Sequence, residues 1–128
     1  MIPETHLDLM AAPLTAILTS VDADGCPQSS AMWYMWEDGR LWFSTKRWAK
    51  KFRNLADRPL VSFIVVDPAD EFRSVEIRGT ATVGEDPGCV GRDRVRAKHS
   101  IDASAPDQFA IDRVLITLQP TRVIIHGR

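Results

Sequence analysis

The stretch Val21-Asp22-Ala23-Asp24-Gly25-Cys26-Pro27-Gln28-Ser29-Ser30-Ala31-Met32-Trp33-Tyr34-Met35-Trp36-Glu37-Asp38-Gly39-Arg40 holds two Asp-Gly turns with a strand-like run between them. Glycine after aspartate supplies the positive φ of a tight hairpin, so each turn reverses the chain. Working outward, Leu14–Val21 is a β-rich run entering the first turn, Gln28–Trp36 is the returning strand, and Leu41–Thr45 leaves the second turn as a third. Two successive hairpins make an antiparallel meander.

The pattern continues on the C-terminal side. Leu60–Val66 is almost entirely apolar, as a strand covered on both faces is. Phe72–Val83 reads as a long strand whose Gly79 marks a bend or a close backbone approach. Val114–Leu118 and Arg122–His126 form a last strand interrupted at Pro120, and residues 100–108 read as a loop. Helical patterns cover Pro3–Met10, ended by Pro13, and the segment from Asp86-Pro87 to about His99. About six antiparallel strands with two or three short helices favour a closed or nearly closed barrel, which hides strand edges.

The 128 residues suit one domain with a real core, and 45% are hydrophobic. A formal net charge of -1 gives no global attraction to nucleic acid or anionic membrane. No apolar run reaches the roughly 18 residues of a membrane span and the N-terminus shows no signal-peptide pattern, so a cytoplasmic location is expected. Cys26 and Cys89 have no metal-ligand spacing and read as reduced thiols. The excess of arginine over lysine hints at a GC-rich genome.

Basic residues cluster at 46–53 and 92–98. The first cluster lies in Ser44-Thr45-Lys46-Arg47-Trp48-Ala49-Lys50-Lys51-Phe52-Arg53-Asn54-Leu55, where a strand passes into a short helix. Trp48, Phe52 and Leu55 fall at i, i+4, i+7 as its core stripe, with Arg47, Lys51 and Asn54 as an adjacent stripe. Such a face is what a solvated amphipathic helix also looks like. Cations at a helix start, however, oppose the macrodipole unless an anion sits there, and helix N-termini bind phosphates. The segment is therefore a candidate phosphate site. In Gln28–Trp36, small polar residues precede large amphipathic ones: Met32, Tyr34 and Trp36 read as core or as a platform for a flat ring.

Catalytic constellations are absent. His6, His99 and His126 are scattered, and no nucleophile elbow, zinc-protease motif or P-loop occurs. A phosphate cradle and a ring platform without acid–base machinery point to a cofactor that supplies the chemistry.

These residues resemble the pyridoxamine 5′-phosphate oxidase-like flavin and deazaflavin proteins, most nearly the small actinobacterial group that uses coenzyme F-420. The resemblance spans nearly the whole chain: L-T-A-I-L-T-S-V, D-G-C-P-Q-S-S-A-M-W-Y, S-T-K-R-W-A-K-K-F-R-N-L followed by D-R-P-L-V-S-F, and V-E-I-R-G-T-A. It implies a mainly β fold, a six-stranded antiparallel split β-barrel of the FMN-binding type, forming one domain over residues 1–128. It implies homodimers with cofactor sites at the subunit interface, and no metal. Lys51 matches the family's phosphate lysine, with Lys50 and Arg47 as supporting cations. Ser44 and Thr45 match contacts to the phosphate and polyol. Gln28, Ser30, Met32 and Trp33 match the strand beneath the ring. Phe72 matches an aromatic residue that the partner subunit presents. Ala49 departs from the pattern, standing where many relatives carry another basic residue. The C-terminal L-Q-P-T-R-V-I-I-H-G-R lacks the Arg- and His-containing segment of the true pyridoxamine phosphate oxidases, so vitamin B6 oxidation is not expected.

The implied activity is F-420-dependent hydride transfer to a small organic acceptor: a conjugated carbonyl, a tetrapyrrole-like molecule or a nitro compound. The alternatives are an FMN-dependent reductase or oxidase, and a non-enzymatic carrier of a cofactor, haem or tetrapyrrole with His99 or His126 as axial ligand. Arg53, Arg58 and Arg73 are candidates to meet the acidic tail of F-420, and Tyr34 is a candidate proton donor, with no spacing that selects it. No catalytic residue is assigned.

Overall fold

In the computed structural model of the chain, residues 1–102, 104 and 112–128 are described. Seven strands form: β1 (Ala16–Val21), β2 (Pro27–Met32), β3 (Met35–Glu37), β4 (Arg40–Lys46), β5 (Leu60–Asp67), β6 (Asp70–Glu85) and β7 (Arg113–His126). Three short helices accompany them: α1 (Leu7–Ala11), α2 (Lys50–Asp57) and α3 (Val90–Lys98). Every pairing is antiparallel, in the order β2-β1-β5-β6-β7-β4-β3.

The two edges of this sheet, β2 and β3, are separated in sequence only by Trp33 and Tyr34. Two residues cannot span a flat seven-stranded sheet, whose neighbouring strands lie about 4.8 Å apart. The sheet therefore curls until its edges meet, and the fold is a split barrel. Seven strands replace the expected six because the pass from Gln28 to Trp36 bends at Trp33-Tyr34. Its first half pairs with β1 and its second half with β4.

Alternation along the strands fills the barrel with Leu18, Phe43, Phe63, Val75, Ile77, Ile116 and Leu118, all fully buried. Tyr34 joins them at the bend. Its ring meets Phe63 edge-on at 5.0 Å and its hydroxyl donates to the Leu9 carbonyl at 2.6 Å. Burial pushes the phenol above its ordinary range. The core reading thus holds for Tyr34, and a proton-donor role does not suit a hydroxyl already committed inside.

β7 runs through Pro120 without a break. The ladder pairs Arg78 with Arg122 but Gly79 with Pro120, so Thr121 is an extra residue and the proline falls at a bulge. Gly79 permits this, since a Cβ there would lie 2.1 Å from the Gln119 carbonyl oxygen. The N-terminal helical turn closes one end of the barrel. His6 Nε2 donates to the His126 carbonyl at 3.0 Å, and Arg73 reaches Asp8 (2.9 Å), Asp67 (3.0 Å) and the Thr5 carbonyl (2.6 Å).

The helix after Ser44-Thr45 starts later than its spacing suggests. β4 keeps pairing with β7 as far as Lys46 opposite Arg113, and a turn over residues 47–49 precedes α2. Trp48 therefore lies outside the helix and is half exposed, while Phe52 and Leu55 meet the core. Of the loop read over residues 100–108, residues 103 and 105–108 lie outside the described residues.

Candidate functional site

The centre of the site is the contact between α2 and β2. Lys51 Nζ donates to Ser30 Oγ at 3.4 Å. Among the described residues, no carboxylate lies within ion-pairing distance of Lys51. Burial holds this ammonium below the ordinary lysine range, and the nearby charges of Lys46 and Arg113 lower it further. Lys46 and Arg113 face each other across the β4–β7 ladder. Asn54, itself buried, donates to Ser20 Oγ (3.2 Å) and to Gln28 Oε1 (3.4 Å), fixing α2 against β1 and β2. An enclosed ammonium with a hydroxyl beside it, no carboxylate in ion-pairing distance of it among the described residues, and two further cations nearby is a donor set that fits a phosphate group.

Ser44 continues the site. Its hydroxyl accepts from Arg113 Nε at 3.0 Å and donates to Asp86 at 3.3 Å. Asp86 in turn accepts from the backbone N–H groups of Gly91 (2.8 Å) and Arg92 (3.0 Å), capping α3 from outside the helix. Between α3 and the barrel lies a cleft of about 240 Å³ whose floor includes Met32, Trp33 and Ser44. Its other walls are Arg92, Val95, Arg96 and Arg113.

The Trp33 indole stacks flat on His99, with ring centroids 3.8 Å apart and planes 8° from parallel. Burial and the Lys98 charge lower the His99 imidazole, and its Nε2 is enclosed with no hydrogen-bond partner among the described residues. Lys98 pins this end of α3 by donating to the carbonyls of Met10 (3.1 Å) and Tyr34 (3.0 Å). Its ammonium also sits 4.0 Å from the Tyr34 ring centroid, and burial brings it down to about 8.

The structure thus groups Gln28, Ser30 and Lys51 at the α2–β2 contact, and Met32, Trp33 and Ser44 along the adjoining cleft. Four expected residues fall elsewhere. Thr45 shares the inward face of β4 with Leu41 and Phe43 and is buried, so its hydroxyl does not reach this surface. Arg47 precedes the helix, so it shares no helical face with Lys51. It pairs instead with Glu85 and with Asp112 at 2.8 Å. Lys50 points away to Asp22 at 3.5 Å and lines a separate hollow with Arg53 and Arg58. Phe72 stands at the start of β6, 78% exposed, and does not line the cleft. Arg73 is tied to Asp8 and Asp67.

Lys46, Asp86, Arg92, Arg96 and Arg113 escaped assignment from sequence. The basic clusters at 46–53 and 92–98 were the visible signals for Lys46, Arg92 and Arg96. Arg113 and Asp86 are brought to Ser44 only by strand pairing and a helix cap. Among the described residues, no group of three His, Cys, Asp or Glu side chains could hold a metal ion, and no helix is long and apolar enough to cross a membrane.

Residues 2–127 match the family described as pyridoxamine 5′-phosphate oxidase. No curated protein matches the chain. The solved structure of an F-420 reductase is 31% identical and superposes with a TM-score of 0.89, covering 96% of this chain and 98% of its own. The conserved hypothetical protein Rv2991 of Mycobacterium tuberculosis is 26% identical with a TM-score of 0.82, covering 99% and 86%. HutZ, the haem storage protein of Vibrio cholerae, is 22% identical with a TM-score of 0.74, covering 99% and 96%, a likeness of fold. The chain belongs to the pyridoxamine 5′-phosphate oxidase family, among the split barrels that include an F-420 reductase.

Proposed function

We propose that the chain is an F-420-dependent oxidoreductase acting on a small organic acceptor. The observation that carries this reading is the enclosed ammonium of Lys51, beside Ser30 and near Lys46 and Arg113, with no carboxylate in ion-pairing distance among the described residues. Similarity to an F-420 reductase supports the choice of cofactor. Lys51 and Ser30 would hold the phosphate, with Lys46 and Arg113 adding positive potential. Asn54 holds Gln28 so that β2 offers a fixed edge to the ring, and Met32 and Trp33 wall the ring side from water. Bound F-420 supplies the hydride chemistry. The unit would be a cytoplasmic homodimer, with exposed Phe72 presented to the partner's cofactor.

FMN carries a phosphate that Lys51 serves equally well, so the FMN reading differs only in the cofactor. A haem carrier would need an open imidazole nitrogen: the His99 Nε2 is enclosed, while His126, at the end of β7, is exposed and stays the candidate axial ligand of that reading. Titration of the purified chain with F-420 and with FMN, followed by fluorescence, decides. Micromolar binding of F-420 with none of FMN supports the proposal, and the reverse sinks it. A Soret band in the purified protein would favour the carrier. Sedimentation showing a monomer at micromolar concentration would remove the interface site.

A further inference from the structure

We propose that the Trp33–His99 pair is the stacking wall for a flat acceptor ring: the ring lies on the cleft side of the Trp33 indole, and His99 is the positioning residue that holds the indole from behind. This rests on the proposed function, which lays the cofactor along β2 beside the same cleft. The acceptor class it names is a planar, unsaturated ring selected by shape rather than by charge.

The arginines of the cleft do not offer a free charge. Arg92 engages Asp93 at 2.7 Å, Arg113 donates to Ser44 at 3.0 Å, and the Arg96 charge lies near Asp102. Besides Ser44, the other described walls are Met32, Val95 and the Trp33 ring. They present apolar and flat surface, and about 240 Å³ has room for one small ring with a short substituent.

The two faces of the indole are differently placed. One lies on His99, with centroids 3.8 Å apart and planes 8° from parallel. Trp33 lines the cleft, and His99 is not among its described walls. Trp33 is 37% exposed even with that face covered, so the open side of its ring is the side a ligand meets. A lone indole beside a cleft would hop between rotamers. Against a second ring it keeps one plane, which spares a ligand the cost of ordering it.

The backing ring is fixed in turn. His99 follows directly on α3, and Lys98 ties that end of the helix to the carbonyls of Met10 and Tyr34. Tyr34 is the chain neighbour of Trp33, so both halves of the stack are anchored at the same contact. Burial and the Lys98 charge hold the imidazole below its ordinary range, so it stacks as a neutral flat ring. Another neutral flat ring should therefore be able to replace it.

The test uses two neutral probes, trans-cinnamamide and 3-cyclohexylpropanamide, titrated calorimetrically into the purified chain, alone and with saturating F-420. Both carry an amide on the same short arm, but only the first is planar. Burial alone does not favour the planar probe, because the saturated ring is the more hydrophobic. Stacking is expected to give the planar probe about three- to tenfold the affinity, the scale of one aromatic pair. Trp33→Leu should remove this preference. His99→Ala should reduce it, and His99→Phe, which keeps a flat ring, should restore it. Equal affinity in the unmodified chain, tighter binding of the saturated probe, or binding of neither overturns the proposal whether or not a variant folds. So does a preference that survives Trp33→Leu. A preference that is unchanged in His99→Ala, or not restored in a folded His99→Phe, overturns the positioning role of His99. A preference lost on adding F-420 overturns the acceptor assignment, because the cofactor ring then occupies the wall. A ring preference without F-420 binding sinks the proposed cofactor and upholds the wall. F-420 binding without a ring preference does the reverse.

Discussion

Lys51 of α2 and Ser30 of β2, twenty-one residues apart in sequence, meet with the ammonium 3.4 Å from the hydroxyl, and no acid neutralises the charge among the described residues. Removing the ammonium should therefore cost ligand affinity with little cost to the fold. Lys51→Ala is expected to weaken F-420 binding by about 1.5–3 kcal/mol, the scale of a charge-assisted hydrogen bond. Unchanged affinity would place the phosphate elsewhere.

The same ammonium predicts a pH dependence. Burial, with Lys46 and Arg113 nearby, favours its neutral form, while an anionic ligand needs the charged one. F-420 affinity should fall as pH rises, with the fall beginning below the ordinary lysine range. Lys51→Arg, which keeps its charge, should flatten the profile. A flat profile in the unmodified chain would show that Lys51 does not meet the anion.

Lys98 makes a stability prediction. In the unfolded chain a lysine keeps its proton up to about pH 10.4, whereas in the folded chain burial brings Lys98 down to about 8. Between these values the unfolded state binds more protons, so the Lys98 contribution to stability rises with pH and is flat below the window. Thermal melts from pH 7 to pH 10 should show this rise in the unmodified chain relative to Lys98→Met. Parallel curves for the two proteins would refute it.

Asp86 links β4 to α3 by accepting from two helix-start amides and from Ser44. Asp86→Ala should lower stability by about 1–2 kcal/mol through loss of the cap. Urea denaturation checks this, and an unchanged midpoint would show that the cap is dispensable.

Gly79 faces the bulge in β7 with no room for a side chain. Gly79→Ala should destabilise by about 1–3 kcal/mol, the range of an overpacked core, read as a lower urea midpoint. An unchanged midpoint would mean that the bulge at Thr121 can shift.

Much of the barrel was legible in the chain because its signals are local. Asp-Gly turns, two-residue alternation and the break at Pro13 depend on neighbouring residues alone, and the basic run at 46–53 stood out because cations near a helix start oppose the dipole, with Lys51 singled out within it by the family resemblance. The errors also share a cause. Helical spacing carried from Trp48 to Leu55 placed Arg47 on the Lys51 face, but the β4–β7 ladder keeps the backbone extended through Lys46 and sends Arg47 to Asp112. Thr45 was assigned from motif position, while strand alternation turns its hydroxyl inward.

The sequence by itself determined an antiparallel barrel and marked the basic run that holds the proposed anion-binding lysine, because turn chemistry, periodicity and charge are written residue by residue. Only the tertiary structure decided that Arg113 and Lys46 flank that lysine, that Asp86 joins Ser44 to α3, and that His99 backs Trp33. The contacts of Ser44 with Asp86 and with Arg113 span 42 and 69 residues, and hydrogen-bond register and helix packing bring such partners together rather than anything in the spacing between them.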